Sequence, residues 1–394
     1  MTSNEIKTLD AQNVMQTYAR FDIAVEKGEG ATVYSPEGKE YIDFTSGIGV
    51  NSIGYGNKRW ADAIYAQAMK LQHISNLYYS EPYTKLAETL IKRTGKKNVF
   101  FSNAGADANE GMIKLARKYS FDKYGKGRST IISLVQSFHG RTITTLAATG
   151  QEVFHNYFFP FTEGFKHVKA NDITALENEQ TDDVCAVLIE FIQGEGGVIP
   201  LDKNYVQKVS ELCKANDLLL LADEVQTGVG RTGTLFAYEQ YEVEPDVFSF
   251  AKGIAGGLPL GGFIANEKCS KVLTAGTHAT TFGGNPVAAA AAIEVLNQLD
   301  EKTLNEVTKK GDYIKEKILS WNIKSIGEIR GKGLMIGVSL IDAVPREIAQ
   351  VCTENGLLIL TAGTDALRML PPLTITYDEL DKGLKILKRI LEET

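Results

Sequence analysis

Leu218-Leu219-Leu220-Leu221-Ala222-Asp223-Glu224-Val225-Gln226-Thr227-Gly228 is the stretch whose reading decides the fold. Its apolar run shows no polar alternation, so it reads as a strand buried on both faces, as in a parallel sheet covered by helices. The run stops on two acids. A second run, Val247-Phe248-Ser249-Phe250-Ala251, stops on Lys252 with Gly253 behind it. In open α/β sheets ligands bind outside the carboxyl ends of the strands. Asp223 and Lys252 therefore stand where a site belongs. Taken alone, the two could equally be an ion pair at a sheet edge.

Working outward, Val184 to Glu190 reads as another apolar strand ending on an acid. It runs into Gln193-Gly194-Glu195-Gly196-Gly197, which puts Glu195 on a loop at the same edge. A helix from about Tyr205 to Ala215 leads back to the deciding stretch, and this alternation favours a parallel sheet with right-handed crossovers. Earlier, Val99-Phe100-Phe101 ends a strand before Ser102-Asn103-Ala104-Gly105-Ala106 and a helix to about Tyr119. Small residues there would expose backbone N–H groups at a helix start, which suits a phosphate. An ordinary capped turn accounts for them as well. Thr130 to Val135 is the next strand and leads into Ser137-Phe138-His139-Gly140-Arg141-Thr142, where an aromatic ring and an arginine could stack on a flat ring and bind a carboxylate. His139 reads as a satisfied loop residue, and His155 and His167 suggest no function. Pyridoxal phosphate requires a lysine to bond its aldehyde and a carboxylate for its ring nitrogen, a pair that Lys252 and Asp223 could supply.

Toward the termini, Met1 to about Tyr18 reads as an arm or first helix, and Ala24 to Phe44 as a meander of short strands around Pro36-Glu37-Gly38. Helices are expected over Lys58–Leu71, Pro82–Thr94 and Val287 to about Leu299, with a strand at Phe263–Ala265. The loop His278 to Pro286 offers Thr280 and Thr281, with Thr281 a plausible phosphate ligand or a turn cap. Gly333–Val338 and Leu358–Leu360 read as strands of a smaller unit. Arg368 lies in the apolar run Leu367-Arg368-Met369-Leu370-Pro371-Pro372, and a buried arginine calls for an acid or an anionic ligand.

The 394 residues carry a net charge of −7 with no basic block, which disfavours nucleic-acid binding. No apolar run is long enough to span a membrane, and no signal peptide is apparent at Met1–Asp10. The four cysteines are scattered without a C-x-x-C, which points to reduced thiols and a cytoplasmic location. The five dispersed histidines give a metal site little support.

Together, Ser102–Met112, Phe138–Thr142, Gln193–Gly197, Leu221–Gly233, Ala251–Gly262, Thr280–Pro286 and Leu367–Pro372 resemble the class III pyridoxal-phosphate aminotransferases of fold type I. The resemblance runs from about Tyr18 to near the C-terminus. Phe191, commonly proline in the family, and Met369, often aromatic, depart from the pattern without altering a polar residue. The resemblance implies an α/β fold with a large domain built on a mainly parallel central sheet. Residues 51–290 would form this pyridoxal-phosphate domain and 291–394 a small α/β domain, with 1–50 packing on the small one.

It also implies roles. Lys252 would hold the cofactor covalently and shuttle protons. Asp223 would pair with the ring nitrogen, Val225 and Phe138 would sandwich the ring, and Gln226 would lie near its phenolic oxygen. Gly105 and Ala106, with Ser102 in the same cofactor-binding stretch, would serve the phosphate. Thr281 would reach that phosphate from the partner subunit of a homodimer, and Thr280 would lie near the donor. Arg141 would bind the donor's α-carboxylate, and Arg368 that of 2-oxoglutarate or glutamate, with Glu195 masking Arg368 in the other half-reaction. The implied reaction moves the distal amine of N2-acetyl-L-ornithine to 2-oxoglutarate, as in arginine biosynthesis. Succinylornithine, ornithine, 4-aminobutyrate and N-succinyl-diaminopimelate are alternative donors, and a glutamate-semialdehyde aminomutase is a more distant alternative. A cofactor-binding regulator is disfavoured, because the residues before Tyr18 leave no room for a helix-turn-helix.

Overall fold

The computed structural model describes residues 1–393. Its centre is a seven-stranded sheet in the order Asn98–Ser102, Gly261–Ala265, Val247–Phe250, Leu219–Asp223, Val184–Ile189, Thr130–Leu134, Phe165–Val168. Gly261–Ala265 runs against both its neighbours, while the pairings from Val247–Phe250 outward to Phe165–Val168 are parallel. Every residue of Val184–Ile189, Leu219–Asp223 and Val247–Phe250 is buried. That is why these runs lack polar alternation: helices cover both faces.

Register sets the site. Leu221 pairs with Val247 and Asp223 with Ser249, so Lys252 lies three residues past the partner of Asp223. Ala222 pairs with Ile189, which brings Glu190 level with Asp223. Asp223, Glu190 and Lys252 thus leave the sheet at one edge because the carboxyl ends of their strands fall within a few residues of one another.

The terminal segments build two smaller sheets. Lys27–Glu29, Thr32–Tyr34 and Glu40–Asp43 form the expected meander, extended by a parallel pairing with Leu357–Leu358. Ile326–Lys332, Met335–Leu340, Ala366–Met369 and Leu360–Ala362 make an antiparallel sheet. The single strand expected at Leu358–Leu360 is therefore split between two sheets, with Ile359 buried at the junction. The C-terminal helix Tyr377–Glu392 starts with a capping box between Thr376 and Glu379. Glu379 Oε1 also accepts from Ala31 N at 2.9 Å, fastening the meander to this helix. A cap of this kind contributes about 0.5–2 kcal/mol.

The helix expected to stop near Tyr119 continues to Tyr124. Among the described residues, no helix is long and apolar enough to cross a membrane, and the four cysteines are free and buried.

Candidate active site

A cavity of about 460 Å³ opens at the carboxyl edge of the central sheet. Gly105, Ala106, Phe138, Arg141, Asp223, Val225, Gln226 and Lys252 all line it. The volume lies within the ~300–1,000 Å³ usual for small-molecule sites.

Asp223 is buried and held from several sides. Oδ2 accepts from Asn109 Nδ2 at 2.7 Å and from His139 Nδ1 at 2.8 Å. Oδ1 accepts from Val225 N at 3.0 Å and Ser249 Oγ at 3.4 Å. Its neighbour Glu224 faces away: backbone N–H groups of Ala237 and Tyr238 donate to it at 3.0 and 2.8 Å. Strand alternation sends the two acids to opposite sides, so one serves the cavity and the other braces a loop. Burial pushes Glu224 up to about 7.

Lys252 begins a single 3₁₀ turn with φ +45°, a left-handed conformation that is costly for a side chain with a Cβ. Burial lowers its pKa, opposed by the nearby carboxylate of Glu195. A buried amine that sheds its proton readily is the form a nucleophilic lysine needs. Glu190 lines the same cavity, and Phe138 N donates to its Oε2 at 2.9 Å. Burial first, and Asp223 beside it second, raise its pKa well above the carboxylate range.

The start of the helix Gly105–Tyr124 points its backbone at the cavity, and no side chain caps it. Its first N–H groups are left for another acceptor. Gly105 is required there, because a Cβ would lie 2.7 Å from Val225 Cγ1. Ser102 stands one step back: its hydroxyl donates to the Ala104 carbonyl at 3.3 Å, bracing the turn.

Arg368 is 3 % exposed, and its two terminal nitrogens donate to the two oxygens of Glu195 at 2.6 and 3.1 Å. Gln226 joins this pair, accepting from Arg368 at 3.1 Å and donating to Glu195 at 3.2 Å. Burial raises the Glu195 pKa, but the Arg368 charge and hydrogen bonds outweigh it, and the net shift is downward. Glu195 itself is 28 % exposed, so the acid, not the arginine, has water to move into. Its backbone stays pinned, since Gly363 N donates to Glu195 O at 2.8 Å.

Arg141 is different. It has no carboxylate partner among the described residues, and its guanidinium lies over two rings, 3.9 Å from the centroid of Phe154 and 5.5 Å from that of Phe138. Thr280 and Thr281 are not part of this cavity. Thr280 Oγ1 accepts from Asn103 Nδ2 at 3.0 Å, and Thr281 is exposed.

Three residues that sequence reasoning passed over belong to the site: Asn109, His139 and Glu190. Asn109 had a signal, as a polar residue on the helix face shared with Ala108, Met112 and Ile113, all buried. Two buried atoms here have no partner, Asn109 Oδ1 and His139 Nε2.

The geometry agrees with the comparisons. A relative from Haemophilus ducreyi named acetylornithine aminotransferase is 52 % identical over the whole of both chains. One of the same name from Caldanaerobacter subterraneus is 48 % identical over 98 % of this chain and 99 % of its own. Among solved structures, an ornithine aminotransferase from Toxoplasma gondii matches with a TM-score of 0.95 at 32 % identity, covering 100 % of this chain and 95 % of its own. An acetylornithine aminotransferase from Elizabethkingia anophelis matches at 0.89 and 30 % identity over the whole of both chains. The family model described as aminotransferase class-III matches residues 14–391, and with these relatives and this site the chain belongs to the class-III aminotransferases.

Proposed function

We propose that this aminotransferase moves the distal amino group of N2-acetyl-L-ornithine to 2-oxoglutarate, giving N-acetyl-L-glutamate 5-semialdehyde and L-glutamate. The observation that carries the reading is the contrast between two guanidinium groups. Arg141 has no carboxylate partner among the described residues, whereas Arg368 is masked by Glu195. A donor with one carboxylate remote from its reacting amine needs only Arg141. A dicarboxylate acceptor needs a second cation, which Glu195 uncovers by swinging toward water. Full-length relatives bearing the acetylornithine aminotransferase name support the choice of donor.

Pyridoxal 5′-phosphate fits the cavity. The uncapped helix start at Gly105 and Ala106 suits its phosphate, the partnerless Asn109 Oδ1 and His139 Nε2 lie beside Asp223, and Lys252 lies in the same enclosure. When bound, this group supplies an aldehyde that carries the amino group and a ring that accepts electron density. Lys252 would hold the aldehyde covalently. When not so bonded, Lys252 Nζ would take up and return the migrating proton. Asp223, fixed by Asn109, His139, Val225 and Ser249, would pair with the ring nitrogen. Val225 and Phe138 would close on the two ring faces and exclude water, and Ser102 would stiffen the phosphate turn. Arg141 would orient the donor so that its distal amine, not its α-nitrogen, is the one presented to the aldehyde.

The test is kcat/KM with 2-oxoglutarate as acceptor, for N2-acetyl-L-ornithine against free ornithine. The acetylated donor is expected to be the better substrate, and a preference for free ornithine rejects it.

The active form is proposed to be a cytoplasmic homodimer. Asn76 Nδ2 donates to Gly283 O at 2.9 Å, joining two loops that carry Leu77, Tyr79 and Phe282, all strongly exposed. An apolar surface of this kind favours a protein contact. A second copy seated there would let Thr280 and Thr281 serve the other protomer's cofactor. Light scattering is expected to give twice the chain mass, and a fully active monomer would sink the assignment.

A further inference from the structure

Lys252 keeps its left-handed φ of +45° at the head of a single turn that no side chain caps. The bond that secures this turn comes from far back in the chain. Ser52 Oγ donates to the carbonyl of Gly253 at 2.7 Å, across 201 residues, and both residues are buried. The other donor to that carbonyl, Gly256 N, stands at 3.4 Å. Trp60 Nε1 pins the far end of the turn, donating to Ala255 O at 2.9 Å. The end next to the lysine therefore depends on Ser52.

Ser52 is itself held on both sides. Its N–H donates to Val50 O and its carbonyl accepts from Leu373 N, each at 2.8 Å. The segment that delivers it is costly to build. Ser46, Gly47, Ile48 and Gly49 have φ of +42°, +65°, +63° and +77°, four successive left-handed residues of which two carry a Cβ. Such a run persists where its surroundings over-determine it. Here the Asp43 carboxylate accepts from Thr45 N at 2.7 Å and Ser46 N at 3.0 Å, and Ser46 Oγ donates to Leu370 O at 2.6 Å. The strained run turns the chain back, so that Val50 lines the cavity and Ser52 meets the lysine turn from outside it.

We infer that Ser52 is a positioning residue for Lys252: through the Gly253 carbonyl it holds the lysine's backbone in the left-handed conformation that aims Nζ into the cavity. The inference rests on the role given to Lys252 above. Ser52 is not among the residues lining the cavity, so it acts on the chemistry through the lysine alone. Without its hydroxyl the strained backbone is free to relax, and Nζ samples directions in which it cannot react. A misaimed group slows every step made at that atom, because proximity and alignment carry much of such a rate. Binding of carboxylates at Arg141 and Arg368 does not pass through this turn and keeps its strength.

The test uses the loaded protein and its cofactor-free form. Single-turnover half-reactions with glutamate and with N2-acetyl-L-ornithine are followed by absorbance. Capture of pyridoxal 5′-phosphate by the cofactor-free form is followed by the band that appears when it bonds Lys252. For Ser52→Ala, both half-reactions and the capture rate are expected to fall about ten-fold. The substrate concentrations giving half the maximal rate are expected to stay within about two-fold of the wild type. Ser52→Cys, close in size and with a weaker donor, is expected to fall between the two, and it carries the test if the alanine variant yields no folded protein. Half-reaction and capture rates equal to those of the wild type overturn the inference, as does a loss confined to the half-saturating concentrations. Both are what a serine that merely fills the core would give. Failure of N2-acetyl-L-ornithine alone to react overturns the donor reading and leaves Ser52 to be decided with glutamate. Borohydride reduction that leaves Lys252 unlabelled in the loaded wild type overturns the role of the lysine, and this inference with it.

Discussion

Lys252→Met is expected to lower kcat by at least about 10³–10⁴-fold while producing a more stable protein in the cofactor-free state. The first effect follows from removing the one amine that both bonds the cofactor and moves the proton at Nζ. The second follows from burial. Burial lowers the Lys252 pKa in the folded chain, so across the interval between that lowered value and the ordinary lysine value the unfolded chain binds more protons. Stability attributable to this group therefore rises with pH through the interval, and below it the fold carries a buried cation at a cost. Methionine has similar bulk without the charge. Thermal unfolding of both cofactor-free proteins at several pH values measures this, and the gap should narrow as pH rises. Borohydride reduction of the loaded wild type followed by peptide mapping should find the label on Lys252. A label elsewhere, or turnover retained by the variant, removes Lys252 from its role.

Arg368→Ala is expected to lower kcat/KM for 2-oxoglutarate by roughly 30- to several-thousand-fold, the equivalent of about 2–5 kcal/mol for truncating one partner of a buried charge pair. The donor half-reaction should suffer far less, because that carboxylate is assigned to Arg141. Arg368→Lys should rescue poorly, since two terminal nitrogens reach two oxygens of Glu195 at 2.6 and 3.1 Å and an ammonium cannot reproduce that fork. Glu195→Ala should act oppositely and ease entry of dicarboxylates, because nothing then has to be displaced from Arg368. Glu195 titrates below the ordinary carboxylate range, Arg368 outweighing burial, so the mask holds at neutral pH. The stability it contributes is present above the ordinary carboxylate value and is lost as pH falls through the lowered one. Steady-state kinetics of the two half-reactions separate these outcomes, and an equal loss in both would remove the masking idea.

Much of this was legible in the chain. The runs before Asp223 and Lys252 announced themselves because strands buried on both faces cannot tolerate polar residues, and the polar residue that ends each run marks the sheet edge. Glu195 was visible between its glycines. A Cβ at Gly194 would lie 2.3 Å from Gln226 Oε1, so the bare glycine leaves that amide its place beside Arg368 and Glu195. His139 is hydrogen-bonded as expected, but its ring partner is Asp223, 84 residues away, and no local pattern reports a partner that distant. Asn109 meets the same carboxylate from 114 residues away. The run Leu358–Leu360 looked like one strand because its composition is uniform, yet its two ends hydrogen-bond into different sheets.

The chain alone therefore determined which segments lie inside and where each strand surrenders its polar end, since apolar runs and the residues that stop them are local properties. The tertiary structure decided that Asp223 and not Glu224 faces the cavity, and that Arg368 meets a carboxylate 173 residues earlier in the chain while Arg141 stays open. Strand register and the docking of the terminal sheets set those distances, and neither is written in any single stretch of residues.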